Sequence, residues 1–291
     1  MVSGRLRSLL SRTAERPLLM GVLNVTPDSF SDGGLYTDAD GWQRRVDRLL
    51  AEGADIVDIG GESTRPGAVA VAAGTQIERI AAPLVYAVSR GALVSVDTTL
   101  PEVAIAALAL GAEIVNDVSC LLDPELARVA AHGSAALIIM HSRGSMAEMT
   151  GFSRHRADAY GDVLADVIQE LSSARDRAIA AGCPREDLLF DPGLGFHKSA
   201  DQSYALLRDL RRLDELGPLV VGASRKSFLQ RDVHSPPAER LGGTIAACLI
   251  AFSRGARILR VHDVLAVRQA FAVAEASAGG GMDVGRGAFD V

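Results

Sequence analysis

Short, continuous apolar segments recur along this chain, and each is followed by a cluster of polar residues. Uninterrupted apolar runs of this length are typical of strands that are covered on both faces. Helical patterns separate the runs, and such regular alternation predicts a parallel sheet. The predicted strands are 18–24, 56–59, 93–96, 114–116, 136–140, 188–190, 219–222 and 258–261, and the predicted helices are 39–52, 75–89, 100–110, 124–131, 160–181, 201–213, 237–253 and 264–276.

Eight units of strand and helix are the number that closes an α/β barrel, the (β/α)8 or TIM barrel, which needs roughly 250 residues. The chain has 291 residues, so we expect a single domain at 17–276 with two short tails. Residues 1–16 are basic and weakly patterned, and residues 277–291 are rich in glycine. We expect both tails to be loosely ordered, because neither carries a regular hydrophobic period.

Composition narrows the class of protein. The formal net charge of −6 makes nucleic acid and anionic membranes poor partners. No apolar run approaches the roughly 18 residues of a membrane helix, and no apolar segment follows the N-terminal arginines as in a secretory signal. The three cysteines lack metal-binding spacing, which is typical of buried, inert thiols in a reducing compartment. We therefore expect a cytoplasmic enzyme.

Basic side chains follow three of the predicted strands. Arg65 follows the second strand, Lys226 the seventh, and Arg260 and His262 lie at the end of the eighth. Taken singly, each would be a solvated surface charge. Their joint placement at one barrel mouth, in an acidic protein, predicts a site for a polyanion such as a phosphate or pyrophosphate.

Acidic and amide side chains end three other strands. Asp97, Asn116 and Asp191 lie at the ends of the third, fourth and sixth predicted strands. A buried carboxylate without a partner is costly, so these groups favour a ligand with several N–H donors. The edge of an aminopyrimidinone fits, because its carbonyl oxygen can also accept from Lys226. The alternative is that Asp97 and Asp191 only cap helices or pair internally with arginine.

Two long segments rich in proline and glycine follow the first and second strands, at 26–37 and 60–74. Segments of this kind are typical of lids that close over a substrate and exclude water, and the first carries Phe30. Asn24, at the root of the first segment, offers a neutral oxygen ligand. Beside a pyrophosphate it suggests Mg²⁺, which takes few protein ligands and several substrate oxygens.

The motifs in these segments closely resemble those of a known family. The strings MGVLNVTPDSFSDGG at 20–34 and GGESTRPG at 60–67 resemble the two signatures of dihydropteroate synthase. The resemblance covers about 20–275, since the later motifs follow in the family's order. These are SVDT at 95–98, VNDV at 115–118, DPGLGF at 191–196, SRKS at 224–227 and RVHDV at 260–264.

The resemblance implies an activity. Members of this family join 6-hydroxymethyl-7,8-dihydropterin diphosphate to p-aminobenzoate, giving 7,8-dihydropteroate and pyrophosphate in folate biosynthesis. They are commonly homodimers, and sulfonamides bind in their p-aminobenzoate pocket. A dissociative mechanism fits these roles, because diphosphate departs with Mg²⁺ before the arylamine attacks and no side-chain nucleophile is needed.

The resemblance also implies residue roles. The pterin would be held by Asp97, Asn116, Asp191 and Lys226. The diphosphate would be held by Asn24, Arg260 and His262, with Asn24 as the ligand of Mg²⁺. The p-aminobenzoate pocket would be formed by Phe30, Thr64, Arg65, Pro66, Phe196 and Ser224. The catalytic residues would be Asp97, Arg65, Lys226 and His262.

Departures from the family pattern leave alternatives open. His197 stands before Lys198 where a small residue is usual; it either alters the rim of the p-aminobenzoate pocket or is exposed to solvent, and we expect exposure. The segment 142–149 diverges as well. One alternative is a pterin-binding paralogue that has lost or changed the synthase activity. Another is a corrinoid-linked methyltetrahydrofolate transferase, which needs neither the motif at 64–66 nor the diphosphate cations.

Overall fold

A computed structural model describes residues 4–13, 16–26, 40–63, 70–144, 149, 151 and 153–277. Within them, eight parallel strands pair in chain order and close on themselves through β1 and β8. The predicted (β/α)8 barrel is therefore confirmed. The strands are β1 Leu18–Asn24, β2 Ile56–Gly60, β3 Leu93–Asp97, β4 Ile114–Asp117, β5 Ala136–Met140, β6 Leu188–Asp191, β7 Leu219–Val221 and β8 Ala256–Val261.

Helices surround the barrel. They are α1 Gly4–Leu10, α2 Asp40–Glu52, α3 Ala73–Ser89, α4 Pro101–Ala109, α5 Glu125–His132, α6 Val163–Ala180, α7 Ala200–Arg208, α8 Leu241–Ser253 and α9 Val264–Ser277. The helices predicted at 201–213 and 237–253 are each divided into an α-helix and a 3₁₀ turn, at Leu210–Leu213 and Pro237–Glu239. The predicted helix at 160–181 begins later, after Asp162, whose carboxylate accepts from the N–H groups of Leu164 and Ala165.

The strand register places the ends of the first four strands at one level. Asn24 on β1 is the partner of Gly60 on β2, Gly60 is the partner of Asp97 on β3, and Asp97 is the partner of Asn116 on β4. Because all strands are parallel, these residues share the carboxyl-end mouth of the barrel, the face on which barrel enzymes place their active sites.

Helix α1 covers the opposite end of the barrel. Leu6 is buried and belongs to a cluster inside the barrel with Met20, Ile56 and Ile258, and Arg7 pairs with the buried carboxylate of Asp187 at 2.7 Å. The expectation that residues 1–16 are loosely ordered is therefore wrong for 4–13. Leu6, Leu9 and Leu10 have the spacing of one helical face, which a seven-residue helix repeats too briefly to be recognised. The rest of the C-terminal tail after Ser277 lies outside the described residues.

The cysteines carry no reactive thiol. Cys120, Cys183 and Cys248 are all free, and the last two are buried. Burial raises the thiol pKa to about 11 for Cys120 and Cys183 and to about 12 for Cys248, so each stays protonated near neutral pH. Among the helices of the described chain, none is both long and apolar enough to cross a membrane.

Candidate active site

Two carboxylates share one guanidinium at the barrel mouth. Arg260 on β8 donates through Nε to Asp58 Oδ2 at 2.7 Å and through Nη2 to Asp97 Oδ2 at 2.7 Å. Asp58 is fully buried and Asp97 is 5% exposed. Asp97 thus pairs with an arginine, as the alternative stated, and it is not a helix cap, because Thr98 Oγ1 accepts from the N–H of Leu100 before α4. The group of three carries a net negative charge.

The charges of this group depend on one another. Burial raises the pKa of Asp97 to about 7, with Arg260 opposing and the Asp58 carboxylate adding to the rise. Burial acts against the guanidinium as well, but Asp58 and Asp97 raise the pKa of Arg260. A further positive group or N–H donor at this point would relieve the excess negative charge.

Asp58 is a site residue that the sequence prediction missed. Its Oδ2 also accepts from Asn116 Nδ2 at 3.3 Å, while its Oδ1 is buried without a hydrogen-bond partner among the described residues. A buried carboxylate oxygen in this condition indicates a position that a ligand or water fills. The signal was a single acidic residue inside the apolar run IVDIG at 56–60.

A second carboxylate and an ammonium group meet above Gly222. A Cβ at Gly222 would lie 3.7 Å from Asp191 Oδ2 and 3.8 Å from both Lys226 Nζ and Arg260 Cβ. These three side chains therefore surround one point next to the glycine. Burial raises the pKa of Asp191, with Lys226 opposing, and burial lowers the pKa of Lys226 to about 7. The two groups together offer an acceptor and a donor to one ligand edge.

His262 pairs with Ser224 at the end of β8. Ser224 Oγ accepts from the backbone N–H of His262 at 3.2 Å and lies 3.0 Å from His262 Nδ1. The serine hydroxyl can donate to Nδ1, an arrangement that places the ring proton on Nε2. Burial, with the charges of Arg225 and Arg260, lowers the pKa of His262 to about 3. The structure places Ser224 against His262, whereas its predicted role in the p-aminobenzoate pocket stays a prediction.

Asn24 is the candidate metal ligand. A Cβ at Gly60 would lie 3.6 Å from Asn24 Oδ1 and 3.4 Å from Asp97 Cβ, so the glycine keeps the space between these side chains clear. Among the residues described, no cluster of three or more His, Cys, Asp or Glu side chains could hold a metal ion. One amide oxygen fits Mg²⁺ that takes its other ligands from phosphate and water.

Phe196 and His197 lie in the turn after β6. Phe196 is 5% exposed and packs against Val118, Met140 and Met149. His197 is buried, with its Nδ1 2.9 Å from Ser142 Oγ, so the expectation of solvent exposure is wrong. Its backbone has a φ of 46°, a left-handed conformation that turns the side chain inward against the segment after β5.

Several predicted positions lie outside the described residues. The first predicted lid falls almost wholly in this part of the chain, since 27–39 are not described, and the second falls there at 64–69. The remaining predicted residues of the p-aminobenzoate pocket are among them, namely Phe30, Thr64, Arg65 and Pro66. The structure therefore brings together Asn24, Asp97, Asn116, Asp191, Lys226, Arg260, His262, Phe196 and Ser224.

A closed α/β barrel with buried carboxylates, an amide and cations at the carboxyl ends of its strands is a barrel enzyme with a site for a polar ring and an anionic group. The family model for pterin binding enzymes matches residues 20–262. The dihydropteroate synthase of Synechocystis sp. is 43% identical over 267 residues, which cover 90% of each chain. The chain belongs to the dihydropteroate synthase family of pterin-binding enzymes.

Solved structures of this family match the fold. The dihydropteroate synthase of Xanthomonas albilineans, determined with 4-aminobenzoic acid, is 41% identical with a TM-score of 0.82, and the match covers 91% of this chain and 94% of the other. The Yersinia pestis enzyme, determined as a sulfonamide drug complex, is 36% identical with a TM-score of 0.82, covering 91% and 95%.

Proposed function

We propose that this chain is a dihydropteroate synthase that condenses 6-hydroxymethyl-7,8-dihydropterin diphosphate with p-aminobenzoate, releasing pyrophosphate and 7,8-dihydropteroate in folate biosynthesis. The observation that carries the proposal is the grouping of Asp191 Oδ2 and Lys226 Nζ within 3.8 Å of the position that a Cβ would take at Gly222, beside the side chain of Arg260. The carboxylate and the ammonium offer an acceptor and a donor for a pterin edge, and the guanidinium of the neighbouring Arg260 offers a cation for its diphosphate.

The pterin ring lies against the buried acceptors in this proposal. Its amino and ring N–H groups donate to Asp191 and Asn116, and its carbonyl oxygen accepts from Lys226. Both acceptors are 4% exposed, so a ligand that leaves them unpaired costs about 1 to 3 kcal/mol for each group. Asp97 lies in register beside Asn116 and faces the same ring.

The diphosphate lies toward Arg260, His262 and Asn24. Arg260 keeps its Nε bond to Asp58 and turns its other nitrogens from Asp97 to the diphosphate oxygens. In this proposal Ser224 donates to His262 Nδ1, and His262 donates to the diphosphate through Nε2. Asn24 would hold Mg²⁺, which when bound neutralises charge on the departing diphosphate.

The chain's own groups favour a dissociative reaction. The C–O bond between the exocyclic methylene and the diphosphate breaks, and the electron pair leaves with the diphosphate oxygen. The resulting dihydropterin cation lies beside Asp97 and Asp58, whose negative charge stabilises it. The arylamine nitrogen then forms the C–N bond and releases a proton to solvent. Phe196, with Phe30, Thr64, Arg65, Pro66 and Ser224, forms the p-aminobenzoate pocket, and we expect sulfonamides to compete there.

Two further properties complete the proposal. We expect a homodimer through the outer helices, a role for which α8 is suited because Leu241 on it is 36% exposed and most of its other residues are small or apolar. We expect a cytoplasmic location, where raised thiol pKa values and free cysteines are ordinary. Analytical ultracentrifugation and fractionation of cells test these two expectations.

One observation favours a second candidate, a pterin-binding paralogue without synthase activity. His197 is buried next to Phe196 in the turn after β6 and lies against Ser142, and in this alternative the imidazole changes the position of the turn at the second pocket. Detection of the reaction product distinguishes the two candidates. Purified protein with Mg²⁺, dihydropterin diphosphate and p-aminobenzoate should form 7,8-dihydropteroate, detected by mass, and a sulfonamide should lower its rate. Calorimetric binding of the pterin diphosphate with no product would support the paralogue.

A further inference from the structure

Lys198 is a fully buried lysine beneath the turn after β6. Its Nζ donates to the carbonyl oxygens of Gly193 at 3.1 Å and Phe196 at 3.0 Å, and it lies 2.8 Å from His141 Nδ1. All three acceptors are neutral. The direct contacts of this buried ammonium are therefore with backbone carbonyl groups and a histidine ring.

The contacts fit a charged Lys198 beside a neutral His141. A lysine ammonium has three N–H donors, enough for the two carbonyl oxygens and for an Nδ1 that accepts. His141 then carries its proton on Nε2, which donates to Glu170 Oε2 at 3.0 Å. Burial and the charge of Lys198 lower the pKa of His141 to about 4, consistent with a neutral ring. Burial lowers the pKa of Lys198 to about 7, with Asp191 opposing.

The turn that Lys198 binds has an unusual backbone. Gly193, Gly195 and His197 have φ values of 65°, 82° and 46°, and alternate left-handed residues direct carbonyl oxygens toward the interior. A Cβ at Gly193 would collide with the His141 carbonyl oxygen, so the turn is pressed against the segment after β5. Carbonyl groups gathered in this way repel one another unless a cation lies among them.

A second lysine binds the same turn from the side of the active site. Lys226 Nζ donates to the carbonyl oxygen of Leu194 at 2.6 Å and lies 4.2 Å from the centre of the Phe196 ring. The chain has thirty lysine and arginine residues, and Lys198 and Lys226 are its two lysines. The compact ammonium directs three N–H groups tetrahedrally, whereas a planar guanidinium would not fit between closely spaced carbonyls. Lys198, which contacts several carbonyl groups at once, thus lies where we expect arginine not to substitute.

We propose that Lys198 is a positioning residue for the arylamine pocket, because its buried ammonium fixes the turn at 193–197 and thereby holds Phe196 against Lys226. This inference rests on the proposed function, which assigns Phe196 to that pocket. Lys198 itself does not touch a substrate. When Lys226 turns toward the pterin, Lys198 remains to hold the turn, so its removal affects the second substrate rather than the first.

Steady-state kinetics with four variants test the inference. In Lys198→Met, we expect the KM for p-aminobenzoate to rise at least about tenfold, since small misplacements have effects of this size or larger. The Kd for the pterin diphosphate should change less than about threefold, because Asn116 and Asp97 lie on other strands. Lys198→Arg should not restore the KM. His141→Asn, which keeps an acceptor near the Nδ1 position, should stay near wild type, while His141→Leu should resemble Lys198→Met.

Ser203→Ala is the matched control, because it removes a neutral bond from the Gly195 N–H to the Ser203 hydroxyl, 3.0 Å long, in the same turn. It should lower the melting temperature as Lys198→Met does but leave the KM within about threefold of wild type. An unchanged KM in folded Lys198→Met, or equal losses of p-aminobenzoate and pterin binding, would overturn the inference.

A spectroscopic measurement is independent of turnover. When lysine is labelled with carbon-13 at Cε, the NMR spectrum of the protein contains two lysine signals, one from each lysine. Lys198→Met removes the signal of Lys198, so the remaining signal is assigned to Lys226. The chemical shift of Lys226 depends on the ring current of Phe196, which lies beside it. This chemical shift should therefore change in Lys198→Met, where Phe196 moves, and should not change in Ser203→Ala. An unshifted Lys226 signal would contradict the inference. If wild-type protein shows no reaction that depends on p-aminobenzoate, the proposed function fails, and this signal still decides whether Lys198 positions the turn.

Discussion

Arg260 Nε donates to Asp58 Oδ2 at 2.7 Å, which joins β8 to β2 through residues that are 202 positions apart. Asp58 is fully buried and is the inner anchor of the guanidinium, while Asp97 is the outer partner on the side of the substrate. An anchored arginine loses little freedom when it binds an anion, so its contribution to diphosphate binding depends on Asp58.

Asp58→Asn should therefore weaken catalysis, because the guanidinium of Arg260 loses its inner charged partner. Replacing the charged acceptor costs about 1.5 to 3 kcal/mol, and kcat/KM for the pterin diphosphate should fall by roughly ten- to a hundredfold. Asp55→Asn is the control, because Asp55 pairs with Arg16 at 2.7 Å away from the site. It should leave kcat/KM unchanged, and equal losses in both variants would assign Asp58 to folding alone.

Asp191→Asn should weaken pterin binding by about 1 to 3 kcal/mol, because a charge-assisted acceptor is replaced by a neutral amide. The backbone bond from the Gly193 N–H to the carboxylate, 2.7 Å long, can be kept by the amide oxygen, so the fold should persist. Isothermal calorimetry with the pterin measures the change. Unaltered affinity would remove Asp191 from the pterin site.

Arg260→Ala should discriminate between two ligands. Binding of the pterin diphosphate should fall far more than binding of the pterin alcohol, because only the diphosphate gains from the guanidinium. The measurement is the ratio of the two dissociation constants in wild type and variant. A ratio that does not change would mean that Arg260 serves Asp58 and Asp97 rather than the diphosphate.

The pH dependence should be bell-shaped. Asp97, with a pKa of about 7, accepts N–H groups more strongly when ionised, so kcat/KM should rise as the pH increases through neutrality. Lys226, also with a pKa of about 7, donates as an ammonium, so kcat/KM should fall above neutrality. Lys226→Arg should move the alkaline limb upward, because guanidinium stays protonated. A flat profile between pH 6 and 8, about one unit on either side of neutrality, would be inconsistent with these two shifts.

Leu6→Ala should destabilise the barrel without changing its chemistry. Leu6 is 2% exposed and fills the barrel end opposite the site, and loss of a buried leucine side chain costs about 2 to 5 kcal/mol. Urea unfolding measures the free energy, and kcat/KM of the folded variant should be unchanged. Leu122→Ala, at a side chain 77% exposed, is the control and should unfold like wild type.

The sequence predicts the barrel and most of the residues at its carboxyl-end mouth, because the carboxyl ends of parallel strands lie at the same end of a barrel. Asn24, Asp97 and Asn116 could be placed together for this reason, and their register confirms it. Asp58 was missed because a side chain inside a strand points to the lumen or to a helix according to a register that sequence alone does not fix. The Arg260–Asp97 pair was missed as a contact because it joins positions 163 apart.

Other failures have local causes. His197 was expected to be exposed because histidine is polar, but its left-handed backbone turns it toward Ser142. Helix α1 was missed because it spans only seven residues, in which the apolar pattern of a helix occurs once and does not repeat. The roles of Lys198 and Glu170 depend on contacts between the segments after β5 and β6 and helix α6, which no pattern along the chain encodes.

Pyrophosphate release by the purified protein, measured with Mg²⁺ and dihydropterin diphosphate in the presence and absence of p-aminobenzoate, tests the central claim most directly. We predict release that depends on p-aminobenzoate and saturates with it. Binding of the pterin diphosphate without release, under conditions in which a sulfonamide has no effect, would contradict the claim and identify a paralogue that keeps the pterin site alone.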